Sequence, residues 1–361
     1  MSSRMDAASA NSKGESTALY RLPRELRAMI YSCLFHSTRM TWGSKLAGHL
    51  DPVKAVPARN ALAILGTCRQ AKAEIGDSWV GQILFSFEDP QAMLDKLTDL
   101  PTGMLPKVRH LHVSGDSLLL KSTEGSTFYF LVSLLKLLPG LQLETLTVMS
   151  PSAAQGSNET LNCLIRESCG WKKLRYVSHS SKLLGFGEIG WPHLIEEHGR
   201  QKYRHSPQPS LWQRFMDERD GSSTRPLVII YRSTMADSPG SINNANTRVR
   251  FEQKVPQDRE AQEAFGLSQD PELVSDGEIT KERLIIVRSG VGVDYEEKEG
   301  SPFLTPDVDI RQRYPGQTWE EIRSTGMDVS SWDAVRIEID AYKDVDEYIW
   351  SASHFPPAVC V

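Results

Sequence analysis

No stretch of this sequence stays apolar long enough to cross a bilayer. Its most hydrophobic window, Phe128 to Leu141, is interrupted by Lys136 and Pro139 and falls short of the roughly 20 residues a spanning helix requires. That window predicts a buried helix and no membrane partner. Cysteine is scarce: five residues, at 33, 68, 163, 169 and 360, an odd number without a C-x-x-C pair. They argue against a disulfide framework or a structural zinc, and for free thiols in the cytosol or nucleus. An excess of positive charge is also lacking. The formal net charge of -5 gives no electrostatic reason for a nucleic-acid or anionic-lipid partner. Residues 1–18 have no basic start followed by an apolar run, which predicts a disordered tail and no secretory signal. Neither a P-loop nor a G-x-S-x-G elbow occurs, so no enzyme and no cofactor is expected.

What is present is the composition of a globular protein, with 361 residues, 40% hydrophobic and 24% charged, enough for two or three packed units. In RLPRELRAMIYSCLF, residues 21–35, the apolar residues Leu22, Leu26, Met29, Ile30, Cys33 and Leu34 recur at helical spacing. Arg24, Glu25 and Arg27 fall elsewhere. Pro23 suits the first turn and fixes where the helix begins. Such a stripe has two readings: it packs on the protein's own core, or it lies in a partner's groove. A second helix is predicted from about Arg59 to Trp79, with Leu62, Leu65, Cys68 and Ile75 at related spacing. The connection His36–Ala58 predicts a short hairpin, and ILFSFED, residues 83–89, alternates as a strand.

LPRELRAMIYSCLF, followed by AILGTCRQAKAE and the aromatic strand LFSF, resembles the F-box, in particular the F-box-like proteins abundant in filamentous fungi. The resemblance implies that Leu22, Pro23, Leu26, Ile30 and Leu34 contact a Skp-type adaptor protein. That adaptor links such proteins to a cullin ubiquitin ligase. The segment between the two helices, Phe35 to Arg59, is longer than the short connection usual in the family.

Between Leu105 and Ser181 a word of the form L-x-x-L-x-L recurs: Val108, Leu111 and Val113; Leu143, Leu146 and Val148; then Leu174 and Val177 with His179 last. A helix is expected over Thr127–Leu138, ended by Pro139 and Gly140, and another begins at Asn158 as N-cap. Strand, helix, strand, helix, strand predicts parallel strands, an irregular leucine-rich-repeat-like unit. An ordinary α/β core is the alternative. Beyond Ser181, Leu227–Tyr231, Thr247–Phe251, Leu284–Arg288 and Val335–Ile339 read as strands of a mainly antiparallel sheet. The loops over 233–246 and 253–278 are long enough to be mobile. A short helix at Trp319 is predicted to start with Thr318 and Glu321 capping each other.

Three motifs suggest chemistry and fail on context. GFGEIG, residues 185–190, matches G-x-G-x-x-G but does not follow a strand directly, which predicts a loop entering a helix at Pro192. HLIEEH spaces His193 and His198 five apart, turning the second ring roughly 140° from the first on a helix, so zinc is not expected. His110 and His112 alternate with Leu111 and Val113 and are expected at the surface, on the opposite side of the sheet.

The expected fold class is α+β, mixed α/β: a tail over 1–18, an F-box-like domain over 19–90, an irregular strand-helix region over 91–182 and a β-rich region over 183–361. The expected function is an F-box-like interaction adaptor, a substrate-recognition subunit of a cullin-type ubiquitin ligase, with an unknown protein substrate. A free-standing interaction scaffold with purely structural F-box-like helices is the alternative. A dinucleotide-binding or metal-dependent enzyme is a third, resting only on GFGEIG or HLIEEH.

Overall fold

The computed structural model describes residues 18–47, 51–54, 62–101, 103–122, 125–150, 154–189, 201–254, 271–275, 277–301, 304 and 308–325. The predicted strand Val335–Ile339 lies outside them. A 3-10 turn, Ala18–Arg21, leads into helix α1 (Arg24–His36), strand β1 (Arg39–Trp42) and the hairpin of β2 (Ser44–Ala47) and β3 (Asp51–Lys54). Then come α2 (Ile64–Thr67), α3 (Arg69–Ile75), β4 (Leu84–Phe87) and α4 (Pro90–Leu97). The middle of the chain runs β5 (His110–Ser114), a hairpin of β6 (Leu118–Ser122) and β7 (Gly125–Tyr129), α5 (Leu131–Leu135), β8 (Thr145–Met149), α6 (Ala154–Glu167) and β9 (Lys173–Ser178). A hairpin of β10 (Phe186–Ile189) and β11 (Gln201–Arg204) follows. The rest comprises α7 (Ser210–Asp220), β12 (Leu227–Ser233), β13 (Arg248–Phe251), α8 (Pro271–Val274), β14 (Arg283–Arg288), α9 (Ile310–Arg313) and α10 (Trp319–Thr325).

Eight strands join in one sheet, in the order β1-β4-β5-β8-β9-β14-β12-β13. The first five are parallel and the last three continue it antiparallel. The class is mixed α+β, as expected, and each parallel step after β4 is bridged by helical chain, as parallel pairing demands. On the helix side of the sheet, Leu111, Leu146 and Leu174 stand in one row and Val113, Val148 and Tyr176 in the next, all fully buried. This register corrects the third repeat word. Leu174 takes the central place, and Trp171 bridges back to Leu143. Val177 falls on the opposite face, packed with Met149, Leu284 and Ile286 against Ile242, because successive side chains of a strand alternate.

Four other expectations change. The helix over 127–138 is only α5, because Phe128 belongs to β7 and pairs with Leu119. All five residues of α5 are buried, as a helix apolar all round must be. Asn158 is no cap: it sits inside α6, buried, and its side-chain N–H donates to the Leu183 carbonyl at 3.0 Å. The long second helix breaks at Cys68, whose extended backbone ends α2 and whose Sγ accepts the Ala71 N–H at 3.3 Å, capping α3. Residues 59–61 of that helix lie outside the described chain. The loop over 233–246 is pinned, since the buried Glu282 carboxylate accepts from the backbone of Gly240 at 2.8 Å and of Ile242 at 2.9 Å. At α10 the predicted cap forms: Thr318 N–H donates to Glu321 at 2.7 Å and Glu321 N–H to Thr318 Oγ1 at 3.3 Å.

Candidate functional site

Helix α1 presents two unlike sides. Pro23, with φ -52° and ψ 151°, stands at its N-cap, and its end is closed by the Ser37 N–H on the Cys33 carbonyl at 3.2 Å and the Thr38 N–H on that of Phe35 at 2.9 Å. Inward at four-residue spacing point Arg27, Tyr31 and Phe35, the last with no exposed surface. Arg27 donates to both oxygens of Glu74 on α3, at 2.9 and 2.6 Å, Gln70 Nε2 donates to Glu74 Oε1 at 2.9 Å, and Tyr31 donates to Glu74 at 3.4 Å. Those bonds, Arg27's and then Gln70's first among them, hold the Glu74 carboxyl well below its ordinary range, at about 2. Behind them the Tyr20 hydroxyl shares a hydrogen bond with Cys68 Sγ, which lowers the thiol and raises the phenol to about 12.

Outward point Leu26, Met29, Ile30 and Leu34, exposed by 46%, 59%, 42% and 37%. Cys33 and Pro23 are exposed with them and Leu22 is half-buried. Of the five residues read as an adaptor contact, Pro23, Leu26, Ile30 and Leu34 are therefore open to solvent on one helix. Arg27, read from the sequence as lying off the apolar stripe, is the residue that anchors the helix to α3.

The described residues of the segment after Phe35 build strands and leave this stripe exposed. It supplies β1, an edge strand paired in parallel with β4, Met40 opposite Phe85 and Trp42 opposite Phe87. Trp42 stacks on the Phe85 and Phe87 rings at 5.8 and 5.2 Å between centroids. The hairpin of β2 and β3 uses more of the same segment. An exposed run of four large apolar side chains on one helix is uncommon unless a partner covers it.

Protein-family models, curated proteins and solved structures provide no match to the chain.

The other candidates dissolve or change. GFGEIG runs through β10, in register with β11, where a dinucleotide site needs a turn into a helix. HLIEEH, Pro192 and Gly190 lie outside the described residues. His110 and His112 do point to the side opposite Leu111 and Val113, yet they are buried, not at the surface. The His112 Nδ1 lies 3.0 Å from the Ser86 hydroxyl, which also accepts from Arg39 at 3.1 Å. Among the described residues no group of His, Cys, Asp and Glu converges on a metal-sized site, and no helix is long and apolar enough to cross a membrane. Cys163 and Cys169 are partly buried, and burial pushes both thiols up.

A cationic cluster escaped the sequence reading. Lys173 and Arg288 are cross-strand partners on β9 and β14, Arg175 stands two residues along β9, and Arg248 lies over the Tyr231 ring at 4.9 Å. The only sequence signal was the K-x-R alternation in β9, which brings both side chains to one face. Arg248 and Arg288 come from far along the chain.

Proposed function

We propose that this chain is an F-box-like interaction protein in which α1 docks into a Skp-type adaptor and the larger sheet carries a protein partner for ubiquitylation. The chemistry belongs to the recruited ligase. One observation carries this reading: Leu26, Met29, Ile30 and Leu34 are exposed along a helix whose other side is bolted to α3 by Arg27 and Tyr31 and sunk into the core at Phe35. A helix that offers apolar anchors three and four residues apart fits a groove, and a rigid mount spares much of the ordering cost of binding. The LPRELR and TCRQ words name the groove by resemblance to the F-box. A scaffold whose F-box-like helices are purely structural would instead bury the Leu26 and Ile30 stripe.

Affinity capture of the tagged full chain, beside a Leu26→Ser, Ile30→Ser variant, tests the reading. The intact chain is expected to retain a Skp-type adaptor and a cullin, and the variant to lose both. Absence of the adaptor from the intact capture would sink it.

A further inference from the structure

The sheet face turned away from the helices carries Lys173, Arg175 and Arg288 on neighbouring strands, with Arg248 reaching over Tyr231 beside them. Arg175 is buried and donates to Asn243 at 3.5 Å, Lys173 and Arg248 are half-buried, and Arg288 is exposed. No carboxylate among the described residues pairs with Lys173, Arg248 or Arg288. The nearby Glu282 is committed to the backbone of Gly240 and Ile242. Burial and the positive charges of Arg175, Arg288 and Arg248 together push Lys173 down to about 8. Gathering cations and partly desolvating them costs free energy unless an anion answers them.

The charge of the chain is unevenly placed in the complementary sense. Residues 326–361, outside the described residues, hold seven carboxylates against Arg336 and Lys343, which leaves -5, the whole formal net charge of the protein. The densest run, Asp340, Asp344, Asp346 and Glu347, begins after about 50 Å of extended chain beyond Thr325. That reach exceeds the roughly 34 Å width of eight paired strands. A tethered segment also competes at an effective concentration on the order of millimolar.

We propose that the acidic segment 326–361 of the same chain occupies the cationic patch of Lys173, Arg175, Arg248 and Arg288. An external acidic partner then reaches the patch only by displacing it. This inference is independent of adaptor docking at α1.

Zero-length carbodiimide coupling of the full chain tests it, because Lys173 is the one primary amine in the patch. Fragment ions are expected to show an amide between Lys173, distinguished from Lys172, and a carboxylate within 340–347. In a mixture of unlabelled and nitrogen-15 chains, both linked peptides should carry the same isotope. Raising salt to about 1 M, where the screening length falls to about 3 Å, should lower the yield at least fivefold without altering any residue. Arg175→Glu, Arg288→Glu should lower it at least tenfold in protein that still melts cooperatively. Three results would overturn the proposal: no link from Lys173 to 326–361, a yield indifferent to salt, or links of mixed isotope, which would place a second copy's segment there.

Discussion

Arg27 on α1 and Glu74 on α3 form a two-point fork, Nε to Oε2 at 2.9 Å and Nη2 to Oε1 at 2.6 Å, and this fork decides which side of α1 faces outward. Both side chains are largely buried, at 10% and 16% exposure. With Tyr31 and Phe35 on the same side, the opposite stripe of Leu26, Met29, Ile30 and Leu34 has nowhere to go but solvent.

The fork makes stability depend on acid. The Glu74 carboxyl titrates at about 2 in the folded chain against an ordinary 4.5. Its contribution is thus fully present above pH 4.5 and is lost as the pH falls from there toward 2. In urea melts, Glu74→Gln should have a lower midpoint than the parent at pH 7, and the gap should narrow clearly as the pH falls to 3. A gap unchanged at pH 3 would contradict this account of the fork.

The two sides of α1 should respond in opposite ways to substitution. Phe35 is fully buried, so Phe35→Ala is expected to cost about 3–5 kcal/mol. Leu26→Ser and Ile30→Ser, on the exposed side, should stay within about 0.5 kcal/mol of the parent. Denaturant titration of the purified variants checks both values.

A second tie lies deep in the core. Lys136 Nζ meets Glu297 Oε1 at 2.6 Å with essentially no exposure, and also donates to the Glu167 carbonyl at 2.7 Å. The other Glu297 oxygen accepts from Ser168 and from the Gly170 N–H. Glu297→Ala strands a buried ammonium and should cost about 3–5 kcal/mol, whereas Lys136→Met with Glu297→Leu should recover much of that loss. Gly170 permits the approach: a Cβ there would lie 2.7 Å from that of Glu297. Gly170→Ala should therefore destabilise by about 1–3 kcal/mol.

The register of β9 is open to the same kind of test. Trp171 is fully buried, with the Arg219 guanidinium 4.7 Å from its ring, and its removal in Trp171→Ala should cost about 3–5 kcal/mol. A repeat word running from Leu174 to His179 would leave Trp171 outside the ladder, where its loss would be mild.

Much of this architecture was legible because short apolar words do not depend on distant partners. β4, β5, β8, β12 and β14 could be read that way, as could α1 with its Pro23 start and the cap of Thr318 and Glu321. What stayed hidden depends on distant chain. Phe128 has the spacing of a helix with Leu131 and Leu135, and only its pairing with Leu119 makes it a strand residue. Cys68 looks helical until its side chain caps α3. His110 and His112 were expected in water, but both are buried, His112 beside the Ser86 hydroxyl. At the candidate site the stripe itself was readable, while its exposure was not, because exposure follows from the anchoring of Arg27 by Glu74, 47 residues away.

The most direct test of the central claim is calorimetric titration of the purified full chain with a purified Skp-type adaptor. A saturable one-to-one complex is predicted, weakened about tenfold or more, which is about 1.4 kcal/mol, by Leu26→Ser with Ile30→Ser while the melting curve stays unchanged. No heat of binding from the intact chain, or equal affinity in the variant, would contradict it.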